Sequence, residues 1–244
     1  MKSFKLCVSM FITASLLSST AFAHLSLKDE VTATSPSAFY NWTGFYAGVN
    51  AGLVKHSMNI TDNQATAFFA TLQADSNPKF TGGLQIGYRR QLNLASTSGV
   101  YGAELSTNFS NASFSKDYGS PFALYQFNFN NELKNVTLLQ LIGGLAVDRT
   151  LLFFAAGLSW TYITGNLTTL DGAPFFNSFN LNQRALGSAL GGGIEYAFND
   201  TLSARFKFDV ISPKVYSASD DLGNNYQISN CIVQTTLGLN YKFA

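Results

Sequence analysis

The sequence predicts an all-β protein, an eight-stranded antiparallel transmembrane β-barrel that follows a cleaved signal peptide. First, eight segments alternate apolar and polar residues and are long enough for a tilted strand, which needs about 9–11 residues to cross a bilayer. Second, the apolar parity is rich in aromatic residues, whereas the other parity carries glycines and charges, the pattern of a lipid-facing exterior around a polar interior. Third, the N terminus reads as a secretory leader.

The leader defines the domain organisation. Lys2 and Lys5 precede an apolar run, and Ala21-Phe22-Ala23 supplies a small-x-small cleavage pattern. The run is too short for a transmembrane helix, and no later stretch reaches about 18 uninterrupted apolar residues, which argues against a helical membrane protein. The predicted units are a signal peptide over residues 1–23, a periplasmic lead-in over 24–41 and the barrel over 42–244.

The clearest strands form a hairpin between Leu186 and Val210. In the first strand Leu186, Leu190 and Ile194 share one parity, and Glu195 falls on the other. Three polar residues, 199–201, join it to the second strand, as expected for a β-hairpin. Closing this turn pairs Glu195 with Arg205, and a slip of one residue would turn a charge towards lipid.

Six further segments complete the predicted barrel: 43–54, 80–90, 100–109, 135–147, 151–163 and 231–243. Long polar connections over 55–79, 110–134, 164–182 and 212–230 contrast with short turns at 148–150 and 199–201, as in outer-membrane barrels. Two aromatic girdles are also predicted. One includes Tyr88, Tyr101, Tyr196 and Tyr241 near the short turns, and the other is Phe80, Phe109, Trp160 and Tyr162 at the opposite end.

Two points of the strand assignment stay open. In 135–147, Leu138, Leu139, Leu141 and Ile142 blur the alternation, so the register there is undefined. Residues 123–130 also alternate, which allows a ten-stranded barrel. We favour instead a long hairpin that projects above the membrane.

Three motifs resemble a known family. The stretch from Trp42 to Gly52, WTGFYAGVNAG, is similar to the opening strand of the OmpA-like and opacity-type small outer-membrane proteins of Gram-negative bacteria. The hairpin over 191–206 and the ending from Gly238 to Phe243 resemble its later strands. The resemblance implies that Tyr241 and Phe243 form a C-terminal signal for the barrel-assembly machinery, although Ala244 follows the terminal aromatic residue here.

The polar parity predicts a charged network in the barrel interior. Its members carry both signs in nearly equal number, so the groups can neutralise one another. The predicted members are Arg89, Glu104, Glu195, Arg205, Lys207, Asp209 and Lys242.

We identify no catalytic, cofactor-binding or metal-binding residues. His56 beside Ser57 allows a lipid-modifying enzyme, but we interpret His56 as a solvated loop residue because a hydrolase also needs an oriented base. Asp220 and Asp221 are interpreted as part of a polar loop rather than a cation site. Cys231 shares the outward parity of its strand and is expected to face lipid near the outer rim.

The predicted function is therefore that of an outer-membrane surface protein with a structural or adhesive role, carried by four long extracellular loops. Expected partners are outer-membrane lipids, the barrel-assembly machinery and a host-surface or matrix ligand; a net charge of +1 gives no reason to expect nucleic acid. The alternatives are a narrow porin-like channel, an outer-membrane lipid-modifying enzyme and a soluble ligand-binding barrel. An eight-stranded barrel is just wide enough to be filled by side chains, which disfavours a large pore.

Overall fold

A computed structural model describes residues 40–62, 71–93, 98–119, 126–169, 179–219 and 225–243. The predicted signal peptide and all but the end of the predicted lead-in lie outside these ranges, as do Asp220 and Asp221. Across the described ranges, no helix has both the length and the apolar character required to cross a membrane.

Ten β-strands account for nearly all of the described chain. They are β1 (Gly44–Asp62), β2 (Thr71–Asp75), β3 (Lys79–Asn93), β4 (Ser98–Gly119), β5 (Gln126–Val147), β6 (Thr150–Thr169), β7 (Phe179–Ala197), β8 (Leu202–Pro213), β9 (Tyr216–Ser219) and β10 (Asn225–Lys242).

Eight of these strands close into an antiparallel barrel. The order is β1-β3-β4-β5-β6-β7-β8-β10, and β10 pairs back onto β1, from Tyr46 with Lys242 to Asp62 with Tyr226. Short β2 extends the sheet beside the outer half of β1, and β9 does the same beside β10. The prediction of a closed eight-stranded barrel is confirmed.

The two faces of the barrel have opposite chemistry, as the alternation predicts. Phe154 and Leu141 are 74% and 71% exposed on the outer face, whereas Glu195 and Arg205 are 1% and 2% exposed inside. Both predicted aromatic girdles lie on the exposed face. A charged interior and an apolar exterior are the arrangement that a lipid environment stabilises.

Several strands continue well beyond the predicted segments at the end that carries the long connections. Residues 126–130, the described part of the segment 123–130 that allows the ten-strand alternative, belong to β5, where Asn130 pairs with Ser115 of β4 and Asn166 of β6. The long projecting hairpin is therefore correct and the ten-strand alternative is wrong.

The register of β5 is settled by two irregularities. The pairing shifts between Phe109 and Ala112 on the β4 side and between Leu133 and Asn135 on the β6 side. Beyond this bulge, Leu138 and Ile142 point inwards and are buried, whereas Leu139 and Leu141 are exposed. The blurred alternation thus reflects apolar residues on both faces of one strand.

Cys231 lies on the predicted face of its strand but is buried there. Its neighbours Ile232 and Gln234 are buried inside, so alternation assigns Cys231 to the outer face. It is nevertheless 1% exposed, and Ser57, its partner across the β1–β10 ladder, is also buried. The predicted outward parity of Cys231 is therefore confirmed, whereas the expected exposure of its side chain to lipid is not found.

Candidate functional site

Charged side chains meet in the middle of the barrel interior. Four strands, β3, β4, β7 and β8, deliver them because each residue falls on the inward parity of its strand. Each of these side chains is at most 5% exposed. They are Arg89, Glu104, Glu195, Arg205, Lys207 and Asp209, six of the seven residues predicted from the sequence.

Arg205 lies at the centre of this network. Its Nε donates to Glu195 Oε2 at 2.8 Å, and its Nη1 donates to Glu104 Oε2. Arg89 Nη2 reaches the same Glu195 oxygen at 2.8 Å. Glu195 and Arg205 are direct partners across β7 and β8, in the register that the three-residue turn implies. The network therefore joins one local pair to residues that the sequence places about a hundred positions away.

A second branch runs from Glu104 to Asp209. Lys207 Nζ lies 3.1 Å from Glu104 Oε1 and 3.5 Å from Asp209 Oδ2, and it also donates to Gln140 Oε1 at 2.7 Å. Gln140 Nε2 then donates to Asp209 Oδ1 at 3.0 Å. Three cations face three carboxylates, so the formal charges of the network cancel. Such balance is what makes buried charges tolerable, because each loses its water.

Neutral side chains that the sequence analysis missed satisfy the remaining acceptors. Tyr46 donates to Glu104 Oε2 at 2.6 Å, and Asn240 Nδ2 donates to Glu195 Oε1 at 2.9 Å. Ser203 also donates to Glu195 Oε1, and Gln85 links Asn240 to Asn50. Their inward parity was visible in the sequence, but nothing in it marked them as partners of particular charges.

Aromatic rings complete the contacts of the two arginines. The Arg89 guanidinium lies 4.0 Å from the centroid of the Tyr46 ring and 5.7 Å from that of Trp42. The Arg205 guanidinium lies 5.4 Å from the Tyr46 centroid and 5.1 Å from that of Phe153. Ring faces attract cations, most strongly where water is excluded. Tyr46 thus contacts both arginines while it bonds to Glu104.

Lys242, the seventh predicted member, does not join the network. Its Nζ donates to the carbonyl oxygen of Asn41 at 2.6 Å and lies 4.5 Å from the centroid of the Tyr40 ring. Lys242 is the last residue of β10, so its side chain reaches the rim rather than the middle of the barrel. Burial raises the pKa of the Tyr40 hydroxyl above its ordinary value.

Apolar layers enclose the network on both sides. The layer near the short turns contains one residue of the predicted lead-in together with barrel residues, and consists of Tyr40, Trp42, Val100, Ile142, Ala146, Leu151, Phe153, Ala155 and Ala197. The layer towards the long connections consists of Val54, Ala112, Leu133, Val136, Leu138, Ile163, Ala189, Ile211 and Ile232. In its described part, the interior is therefore a packed core with three layers.

The position of His56 corrects the sequence interpretation. It is fully buried inside the barrel, with Nε2 3.0 Å from Asn230 Oδ1, so the prediction of a solvated loop histidine is wrong. Ser57 follows it in the strand and so faces the opposite side of the sheet. The two side chains therefore do not form a nucleophile–base pair. No group of three metal-ligating side chains occurs among the described residues.

The C-terminal aromatic residues lie on the outer surface near the short turns. Tyr241 and Phe243 are about half exposed, and their rings meet edge to face with centroids 5.4 Å apart. The backbone N–H of Phe243 donates to the carbonyl of Phe45 on β1 at 2.9 Å. The proposed assembly signal thus lies at the seam between the first and last strands.

Comparison with known proteins decides the family. Residues 30–243 match the family described as "Outer membrane protein beta-barrel domain". This chain belongs to that family. Like its relatives, it is an outer-membrane protein, which confirms the resemblance to the small outer-membrane barrels.

Individual relatives agree with this assignment. The 31 kDa outer-membrane immunogenic proteins of Brucella melitensis biotype 1 and Brucella suis biovar 1 are each 27% identical over 240 residues, covering 91% of this chain and 95% of theirs. The crystal structure of OprG from Pseudomonas aeruginosa superposes with a TM-score of 0.52 at 16% identity, covering 84% of this chain and 99% of OprG. The structural likeness supports the fold alone.

Proposed function

We propose that the protein is a non-conducting structural barrel that presents its extracellular loops to a host-surface or matrix ligand. The layered interior of the barrel is the main support for this proposal. An ion crossing the barrel would have to pass two apolar layers and a network whose charges are already paired. Desolvating an ion in an apolar layer is strongly unfavourable. The two apolar layers therefore disfavour the narrow channel, the main alternative.

The strand extensions support the part of the proposal that concerns the loops. β4, β5 and β6 each contain 20 or more residues, about twice the number needed to cross a bilayer. By the usual orientation of such barrels, the long connections are extracellular. The loops are therefore carried on a sheet that continues past the membrane surface, which suits recognition of a partner. The Brucella relatives are named as immunogenic, as expected for proteins that display an outer surface.

The closed interior gives the first testable prediction. The refolded mature barrel in planar bilayers is expected to show no discrete conductance steps, because its described residues form two apolar layers across the interior. The variant Trp42→Ala with Phe153→Ala removes two large rings from the apolar layer near the short turns and serves as the comparison. Stable single-channel steps from the wild-type protein would contradict the closed barrel.

Loop binding needs a separate measurement. Cells that display the wild-type protein are expected to adhere to immobilised host matrix proteins more than cells that display a variant with residues 120–125 and 170–178 each replaced by Gly-Ser-Gly. A heat-dependent shift in gel mobility shows whether the variant still forms a closed barrel. Equal adhesion by two equally folded proteins would argue against these loops as the binding surface. The enzyme alternative predicts instead a change in lipid composition that disappears in His56→Ala.

A further inference from the structure

We propose that the outer face of β5–β8 binds one phosphorylated, multiply acylated glycolipid of the outer leaflet. One acyl chain would lie in a notch between the strands, and a phosphate would contact Arg184 and Lys214. The proposed site lies on the lipid-facing wall and is independent of what the loops bind. It differs from general solvation by lipid because one position binds one headgroup chemistry.

The notch exists because two glycines point outwards beside a protruding ring. Phe154 pairs with Gly143 of β5 on one side and Gly192 of β7 on the other. A methyl group added at Gly143 would meet no atom within 4 Å. The depression has a volume of about 800 Å³. Its walls include Leu141, Leu152, Leu190, Phe208 and Val210.

The surface changes character in a fixed order from the notch towards the outer rim. Ser188 and Ser212 are partners across β7 and β8 and lie at the upper end of the notch. Leu186 follows, paired with Trp160, and its carbonyl accepts from the backbone N–H of Lys214 at 2.8 Å. Moving outwards, the surface is first apolar, then carries hydroxyl groups and then carries aromatic rings. A lipid presents its acyl chains, its linkage region and its headgroup in the same order.

Two cations lie above this aromatic level. Arg184 pairs with Tyr162 across β6 and β7, and its guanidinium lies 5.8 Å from the Tyr162 centroid. Arg184 and Lys214 are both exposed. Ser188 lies four positions after Arg184, which corresponds to about 13 Å along a strand. A chain in the notch and a phosphate at the cations can therefore belong to one molecule.

Two other cations towards the long connections already have carboxylate partners. Lys134 on β5 is paired with Glu132 at 2.6 Å, and Lys55 on β1 lies 3.7 Å from Asp75. Within the described ranges, neither Arg184 nor Lys214 forms an ion pair with a carboxylate. An anionic headgroup would complement them, and arginine can bind phosphate oxygens with two parallel hydrogen bonds. Phosphorylated glycolipids are the anionic lipids of the outer leaflet of Gram-negative bacteria, so we infer that such a glycolipid supplies the phosphate.

Native mass spectrometry of the folded mature barrel in maltoside detergent tests the proposal. Titration with bisphosphorylated hexa-acyl lipid A is expected to give one tightly retained lipid per barrel, with weaker binding of the monophosphorylated form. Arg184→Gln combined with Lys214→Gln is expected to weaken binding at least tenfold. Gly143→Leu, which fills the notch from an unobstructed position, is expected to do the same.

The controls change outward residues elsewhere on the lipid-facing wall. Arg90→Gln with Lys55→Gln deletes one cation near the short turns and one that is already paired with Asp75. Gly82→Leu fills an outward glycine on β3, where an added methyl group makes only ordinary contacts. Both controls are expected to leave the affinity within twofold. The heat-dependent gel shift verifies folding of every variant.

Three results would overturn the proposal. The first is an equal loss of binding in the controls. The second is equally tight binding of phosphatidylglycerol or phosphatidylcholine, which would remove the case for a glycolipid. The third is a barrel dimer that Gly143→Leu dissociates, which would assign the notch to contact between two copies.

Discussion

Replacing Arg205 with methionine is expected to lower the free energy of unfolding by about 3–5 kcal/mol, the usual effect of removing one partner from a buried ion pair. Arg205 bonds to both Glu104 and Glu195, and all three side chains are 1% exposed. Without it, two cations, Arg89 and Lys207, face three carboxylates in a space closed by apolar layers. Urea-induced unfolding from lipid vesicles, followed by tryptophan fluorescence, measures the change.

Two companion variants sharpen this test. Arg90→Met removes an exposed outward arginine and is expected to change stability by no more than about 0.5 kcal/mol. Adding Glu195→Gln to Arg205→Met is expected to restore part of the lost stability, because the double variant removes one buried carboxylate together with the cation that it paired with. In the cycle of Glu195→Gln and Arg205→Gln, a coupling energy below about 0.3 kcal/mol would remove the case for direct contact.

A second large effect is expected from Gly87→Ala on β3. The new methyl carbon would lie 2.5 Å from the Tyr46 hydroxyl and 2.7 Å from the backbone oxygen of Ala103. Tyr46 would then have to move, which would break its hydrogen bond to Glu104 and its ring contact with Arg89. We expect a loss of about 2–4 kcal/mol, since overpacking costs about 1–3 kcal/mol and a lost hydrogen bond to a charged group about 1.5–3.

The control for this substitution is Gly143→Ala. It makes the same chemical change on the outer face, in open space, and is expected to change stability by no more than about 0.5 kcal/mol. The same vesicle unfolding assay compares the two. If both glycine variants lose equal stability, the effect arises from the strand backbone rather than from crowding of Tyr46.

The sequence predicts those parts of the site that depend on local geometry. Strict alternation assigns Glu195 and Arg205 to the interior, and a three-residue turn brings them opposite each other. It cannot predict that Arg89 reaches Glu195 or that Glu104 reaches Lys207, because those contacts depend on the tilt of the strands and the width of the closed barrel. Lys242 illustrates the same limit, since parity alone does not give depth within the barrel.

The apolar layers escaped prediction for a different reason. Leu151 and Phe153 point inwards, but they stand in the run LLFFAA, where apolar neighbours on both parities hide the alternation. Leu138 and Ile142 are masked in the same way. The predicted strands also stop short of the outer ends of the observed ones, because the polar residues of the projecting hairpin resemble loop residues once they leave the membrane.

The ladder between β1 and β10 has a consequence for how the barrel folds. Its pairs run from Tyr46 with Lys242 to Asp62 with Tyr226, so 17 consecutive positions of β1 are joined to residues more than 160 positions away in the chain. By contrast, the ladder between β8 and β10 spans only the ten positions from Leu202 to Ile211. Contacts so distant in sequence form only after the intervening chain has been ordered, because of the entropy of loop closure. The first and last strands of the barrel are thus joined by one of the longer ladders. Folding of the barrel should therefore be nearly all-or-none, with few stable, partly folded intermediates.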